Sequence, residues 1–121
     1  MRMAVCGVSR TDTEQLRDWI EHYCQDRRVS VALCAMGSID SFWQEYAPGA
    51  YAFAVFSLED VPGFLAARRL REQDRSCRIL LIADTDRYAL QSVRLHVTDF
   101  ILRPVNRLRL ERGLDQLFRL R

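Results

Sequence analysis

Short, nearly continuous apolar runs alternate along this chain with stretches in which apolar residues recur every three or four positions. The longest run is Tyr51 to Asp60, which stays apolar as far as Ser57 and Leu58 and then meets Glu59 and Asp60. A run of this length, with aromatic and β-branched members and the turn pair Pro48-Gly49 before it, predicts a strand covered on both faces. Open α/β sheets hold their chemistry just beyond the carboxyl ends of such strands. Ser57, Glu59 and Asp60 are therefore candidate functional residues.

The other elements fall into order around that strand. Met3 to Cys6 predicts a buried first strand ending at Gly7. Thr11 to Glu14 has capping-box spacing, and behind it Leu16, Trp19, Ile20, Tyr23 and Cys24 line one helix face. His22 lies off that stripe, on the surface. A charged turn over Gln25 to Arg28 leads to a second strand, Val29 to Met36, broken by Gly37-Ser38. Ser38 is placed to cap a short helix carrying Ile39, Phe42, Trp43 and Tyr46. After the central run, Pro62 suits the first turn of a helix whose C-terminal half carries Arg68, Arg69 and Arg71. Arg78 to Ala83 predicts a fourth strand, about Asp86 to Leu95 a helix capped by Asp84 or Asp86, and Asp99 to Leu102 a fifth strand. Arg103-Pro104 ends it in a turn. Asn106 is placed to cap a last helix with Leu108, Leu110, Leu114, Leu117 and Phe118, interrupted by Gly113. Strict alternation of five strands with five helices predicts an α/β domain with a parallel sheet covered on both sides.

Composition narrows the function more than the fold. A chain of 121 residues suits one domain over its whole length, and a net charge of +2 points to neither tight nucleic-acid binding nor membrane attachment. All 18 basic residues are arginine. That excludes any mechanism needing a lysine amine. Six arginines from Arg103 to Arg121, against Glu111 and Asp115, make the C-terminal segment basic, which a solvated helix face explains; direct DNA binding through it is the weaker alternative. Cys6, Cys24, Cys34 and Cys77 lack Cys-x-x-Cys spacing and suit reduced thiols in a cytoplasmic protein. Neither a signal-peptide pattern nor a membrane-spanning run is present in the sequence.

Three stretches carry a family resemblance: Met1 to Cys6, Arg78 to Leu90 with its Tyr88-Ala-Leu90, and Asp99 to Val105. In this order and spacing the chain resembles the receiver domain of two-component response regulators, and the last two stretches resemble the subgroup that precedes LytTR-type DNA-binding domains. The resemblance implies a flavodoxin-like three-layer fold with strand order 2-1-3-4-5 and a cis Arg103-Pro104 peptide. It also implies a phosphoacceptor aspartate at the end of the third strand, with Mg²⁺ held there by that aspartate and an acidic pair after the first.

The sequence departs from that pattern where the chemistry would occur. Gly7 and Val8 stand at the acidic pair, Ser57 at the phosphoacceptor, Ala83 at the hydroxyl-bearing switch position and Phe100 at the switch aromatic, where it is expected as fixed core. Arg103 replaces the lysine that pairs with the phosphoryl group. It is expected either as residual anion-binding residue or as partner of Glu59, Asp60 or Asp84. His96 replaces a glycine at the end of the fourth helix, so a local change in that turn is expected.

The resulting expectation is a degenerate pseudo-receiver: no enzyme, no catalytic residue, no metal and lost Mg²⁺ binding. It would act by protein contact or homodimerisation through the fourth helix, fifth strand and fifth helix, with DNA reached only through a C-terminal effector domain outside this chain. The alternative is a noncanonical phosphoacceptor using Ser57, Glu59 or Asp60. A nucleotide-binding protein is a further alternative, which the lack of a glycine-rich phosphate loop disfavours.

Overall fold

The computed structural model describes residues 1–119. Five strands, β1 (Arg2–Gly7), β2 (Ala32–Met36), β3 (Phe53–Ser57), β4 (Arg78–Ala83) and β5 (Asp99–Leu102), form one parallel sheet in the order β2-β1-β3-β4-β5. Between and after them run α1 (Arg10–Arg27), α2 (Ile39–Glu45), α3 (Asp60–Gln73), α4 (Ala89–Arg94) and α5 (Arg107–Leu117). The parallel sheet is what the alternating pattern predicts, and the flavodoxin-like strand order is what the resemblance implies.

Alternate side chains of each strand feed two cores, as the two-residue period of a strand requires. Met3, Val5, Phe53, Val55, Leu80 and Ile82 pack under α1 and α5, against Leu16, Ile20, Leu110 and Leu114. Ala4, Cys6, Ala54, Phe56, Ile79 and Leu81 pack under α2 and α3, against Phe42, Ala67 and Leu70. Gly113 does not interrupt α5; it lets α5 approach the sheet. A Cβ there would lie 3.0 Å from Leu80 Cδ1 and 3.2 Å from Ile101 Cδ1.

Element boundaries differ from the sequence expectation in four places. The N-cap of α1 is Ser9, whose hydroxyl accepts from the Asp12 amide at 3.1 Å, so Thr11 lies inside the helix rather than capping it. Strand β2 begins at Ala32, because α1 ends at the left-handed Arg28 (φ 56°) and the next residues only carry the chain to the sheet edge. The central run contributes Phe53 to Ser57 to the sheet, while Asp60 already opens α3. Helix α4 starts at Ala89, and neither Asp84 nor Asp86 caps it. The N-cap is Tyr88 without a side-chain bond, and Asp86 closes a turn through its carbonyl to the Ala89 amide. Residue Arg121 of the basic C-terminal segment lies outside the described residues.

Candidate functional site

The sheet register brings the ends of the strands to one level. Gly7 stands opposite Ser57, Ser57 opposite Ile82, and Ala83 opposite Leu102. Beyond them opens a cleft of about 590 Å³ whose walls include Gly7, Val8, Leu58, Glu59, Asp84 and Arg103. The topology thus gathers Gly7, Val8, Ser57, Ala83 and Arg103 at the carboxyl end of the sheet.

Arg103 is the organising residue of this cleft. Its amide continues the β4–β5 ladder by donating to the Ala83 carbonyl at 2.9 Å, and its side chain turns back across the sheet ends. One terminal nitrogen donates to Ser57 Oγ at 2.8 Å; the other donates to the Leu58 carbonyl and to Asp84 Oδ1, both at 3.1 Å. Of the three partners considered for it, the structure selects Asp84 and leaves Glu59 and Asp60 aside. The following peptide, Arg103-Pro104, is cis, as the resemblance implies. Ser57 is 1 % exposed, so its hydroxyl has exchanged water for this guanidinium.

Asp60 is bound elsewhere. Its carboxylate accepts from the hydroxyl of Thr85 and from the amides of Asp84 (2.9 Å) and Thr85 (3.3 Å). The Thr85 hydroxyl bond is the largest influence on its pKa; loss of water opposes it, and the two amides and the Arg103 charge then bring the carboxyl below its ordinary value. Thr85 was not singled out from sequence. Nothing in a one-dimensional pattern joins it to a carboxylate 25 residues earlier.

At the acidic-pair positions the backbone is filled from another side. Gly7 is buried, and a Cβ on it would lie 2.9 Å from both Asp12 Oδ2 and the Thr13 amide nitrogen, and closer still to Thr13 Oγ1. The first turn of α1 therefore occupies the space a side chain at position 7 would need. Asp12 Oδ2 is buried there without a hydrogen-bond partner. Val8 is half exposed and apolar.

At the positions where the resemblance implies metal ligands, the residues present do not fit Mg²⁺, which takes a shell of oxygens from carboxylates and water; the other carboxylates near the cleft, Glu59 and Asp12, stand outside those positions. Gly7 and Val8 have no side-chain oxygen, Asp84 is held by Arg103, and Asp60 by Thr85. Among the described residues no group of three or more His, Cys, Asp or Glu side chains is placed to hold a metal ion.

The remaining positions are set by packing. Ala83 is buried and its carbonyl is occupied by Arg103. Phe100 is only partly buried, against the α2–α3 core, and helps wall a small cavity with Phe64 and Tyr88, whose rings stack at 4.9 Å. His96 keeps the left-handed turn in spite of its side chain, with φ 59°, so the expected local change is not made. Its backbone is held from α3: Arg71 donates to the carbonyls of Leu95, His96, Asp74 and Cys77 at 2.7 to 3.2 Å. The Cys6 and Cys77 thiols are pushed up to about 12 by burial, so neither supplies a thiolate at neutral pH.

Solved structures with the same arrangement cover nearly the whole chain. The non-phosphorylated HemR receiver domain from Leptospira biflexa aligns with a TM-score of 0.81 and 18% identity over 99% of this chain and 95% of that one. A response regulator receiver protein from Pseudoalteromonas atlantica gives 0.75 and 14% over 97% and 96%. The chain has the fold of a response-regulator receiver domain. This receiver fold also aligns with a putative CpaE2 pilus assembly protein from Sinorhizobium meliloti, with a TM-score of 0.67 and 16% identity over 98% and 100% of the two chains. No protein-family model matches the sequence, and no curated protein matches it significantly. At these identities the likeness establishes the receiver fold, and the site must be argued from its own residues. No helix among the described residues is long and apolar enough to cross a membrane.

Proposed function

We propose that this chain is a receiver-like regulatory module of two-component signalling that works through protein contacts, without aspartyl phosphorylation and without Mg²⁺. The observation that carries the reading is the Arg103 fork on Ser57, Leu58 and Asp84. An arginine that a phosphoryl group would need to attract is already spent on the strand ends. Ser57 is a weak nucleophile without a neighbouring base, and its oxygen faces a cation. The resemblance to the LytTR-associated subgroup supports a role in transcriptional control in the cytoplasm, with DNA contacted by a separate effector domain.

The contact surface in this reading is the β5 edge of the fold. Leu90 and Val93, three apart on α4, are more than three-fifths exposed; Leu102 ends β5 half exposed and Leu108 on α5 is 60% exposed. Exposed apolar side chains on neighbouring elements suit a partner protein or a second copy of the chain.

The test is intact-mass measurement of the full chain after incubation with acetyl phosphate and Mg²⁺, beside a receiver that has the aspartate. The mass should stay unchanged. A gain of one phosphoryl, abolished by Ser57→Ala, Glu59→Gln or Asp60→Asn, would overturn the reading in favour of a noncanonical acceptor. For the surface, sedimentation should show self-association or partner binding that Leu90→Asp and Val93→Asp both weaken.

A further inference from the structure

At the opposite end of α3 from the Arg103 cleft, the C-terminal ends of α3 and α4 enclose a second cleft of about 650 Å³. Four arginines line it, Arg68, Arg71, Arg75 and Arg94, together with His96 and one acid, Glu72. This is a surplus of three positive charges in a chain whose total is +2, so everything outside the cleft is net negative by one.

What sets these arginines apart is that they converge on one cleft; an arginine without a carboxylate partner among the described residues is found elsewhere too, as at Arg28, Arg69, Arg87 and Arg112. On α1 and α5, Arg10, Arg17 and Arg107 each meet a glutamate four residues on, at 3.2 to 3.5 Å. Arg68 has Glu72 at the same spacing, yet among the described residues no carboxylate lies within 4.0 Å of Arg68, Arg75 or Arg94. Arg71 forms the fixed floor. Four of the five N–H groups of a guanidinium are engaged with backbone carbonyls of Asp74, Cys77, Leu95 and His96, none of which cancels its full charge. Like charges gathered in a concave site repel one another, and an anion placed among them removes that cost.

We propose that this cleft binds a small anion with two or more linked phosphate groups, held by Arg68, Arg75 and Arg94 over the Arg71 floor. Guanidinium forks match phosphate oxygens bidentately, and several forks around one cleft suit linked phosphates better than a single one. A protein partner is disfavoured, because its interface needs an apolar centre and the one apolar residue lining this cleft, Leu95, is half-buried. This cleft shares no residue with the Arg103 site, so its occupancy does not depend on phosphorylation there.

Calorimetric titration of the full chain with inorganic tripolyphosphate at about 150 mM salt tests it. Saturable one-to-one binding is expected, weakened about tenfold or more by Arg75→Ala with Arg94→Ala and unchanged by Arg112→Ala, an exposed arginine on α5. ATP binding as tightly as tripolyphosphate would identify a nucleotide's phosphate tail as the ligand; weaker ATP binding would identify an inorganic chain. Absence of saturable binding, equal competition by sulfate, or equal weakening by Arg112→Ala would overturn the proposal. So would tighter binding of a single-stranded oligonucleotide that grows with its length.

Discussion

The Arg103 guanidinium and the Ser57 hydroxyl, 46 positions apart, meet at 2.8 Å and join the end of β5 to the end of β3 across β4. Because Ser57 is 1 % exposed, this bond cannot be exchanged for water without opening the site. Arg103→Met should therefore leave the Ser57 hydroxyl and the Leu58 carbonyl short of a partner and cost about 1–3 kcal/mol in urea unfolding. Adding Ser57→Ala to it should recover part of that loss. Equal stability of Arg103→Met and the wild type would show that the fork contributes nothing to the fold.

Gly7 should resist every larger residue. Gly7→Ala drives a methyl group against Thr13 and Asp12, and overpacking of this kind costs about 1–3 kcal/mol. Thr13→Ala in the same chain should restore only a part, since the Thr13 amide nitrogen at 2.9 Å remains in place. Thermal unfolding of the two variants checks the order.

His96→Gly should stabilise the protein. A left-handed backbone costs an ordinary residue about 1–2 kcal/mol, and glycine escapes this at a smaller entropic cost, leaving a gain of about 0.5–1 kcal/mol. A rise in the unfolding midpoint is the measurement. A fall would mean that the imidazole makes a contact worth more than the strain.

The Asp60 carboxyl should titrate below its ordinary 3.8. A group whose folded pKa is depressed stabilises the fold fully above its unfolded pKa, and loses that contribution as pH falls through the folded value. The tie between α3 and the β4–α4 loop is thus present at neutral pH and fades in acid. Carboxyl carbon NMR should place the midpoint under 3.8 in the wild type, and Thr85→Val should move it upward by removing the largest cause. An unmoved midpoint in that variant would assign the shift to the amides and Arg103.

The runs Arg78–Ala83 and Asp99–Leu102 are legible to the residue because continuous apolar side chains flanked by charge leave a strand no other register. Asn106 and Ser38 are legible as caps for the same local reason. Thr11 is not, because Ser9 offers an equivalent cap two residues earlier and the sheet decides between them by how close α1 must come to Gly7. The gathering of Gly7, Ser57, Ala83 and Arg103 follows from topology once strand order is known. What stays hidden in the sequence is the wiring between distant residues. No periodicity pairs Asp60 with Thr85, leaves Asp12 Oδ2 without a partner, or gives Arg71 four carbonyls to hold.

Those four carbonyls bear on what the module can report. Two come from the end of α4 and the turn after it, and two from the end of α3 and the entry to β4, so one side chain bolts the base of α4 to α3. In the proposed reading Leu90 and Val93 ride on that bolted helix and are displayed at all times. A display that no covalent mark turns on leaves two variables, the number of molecules carrying it and whether the arginine cleft at the base of α4 is filled. With that cleft in one state, the dose set by synthesis and degradation would be the message, and the cell would read this protein as a count.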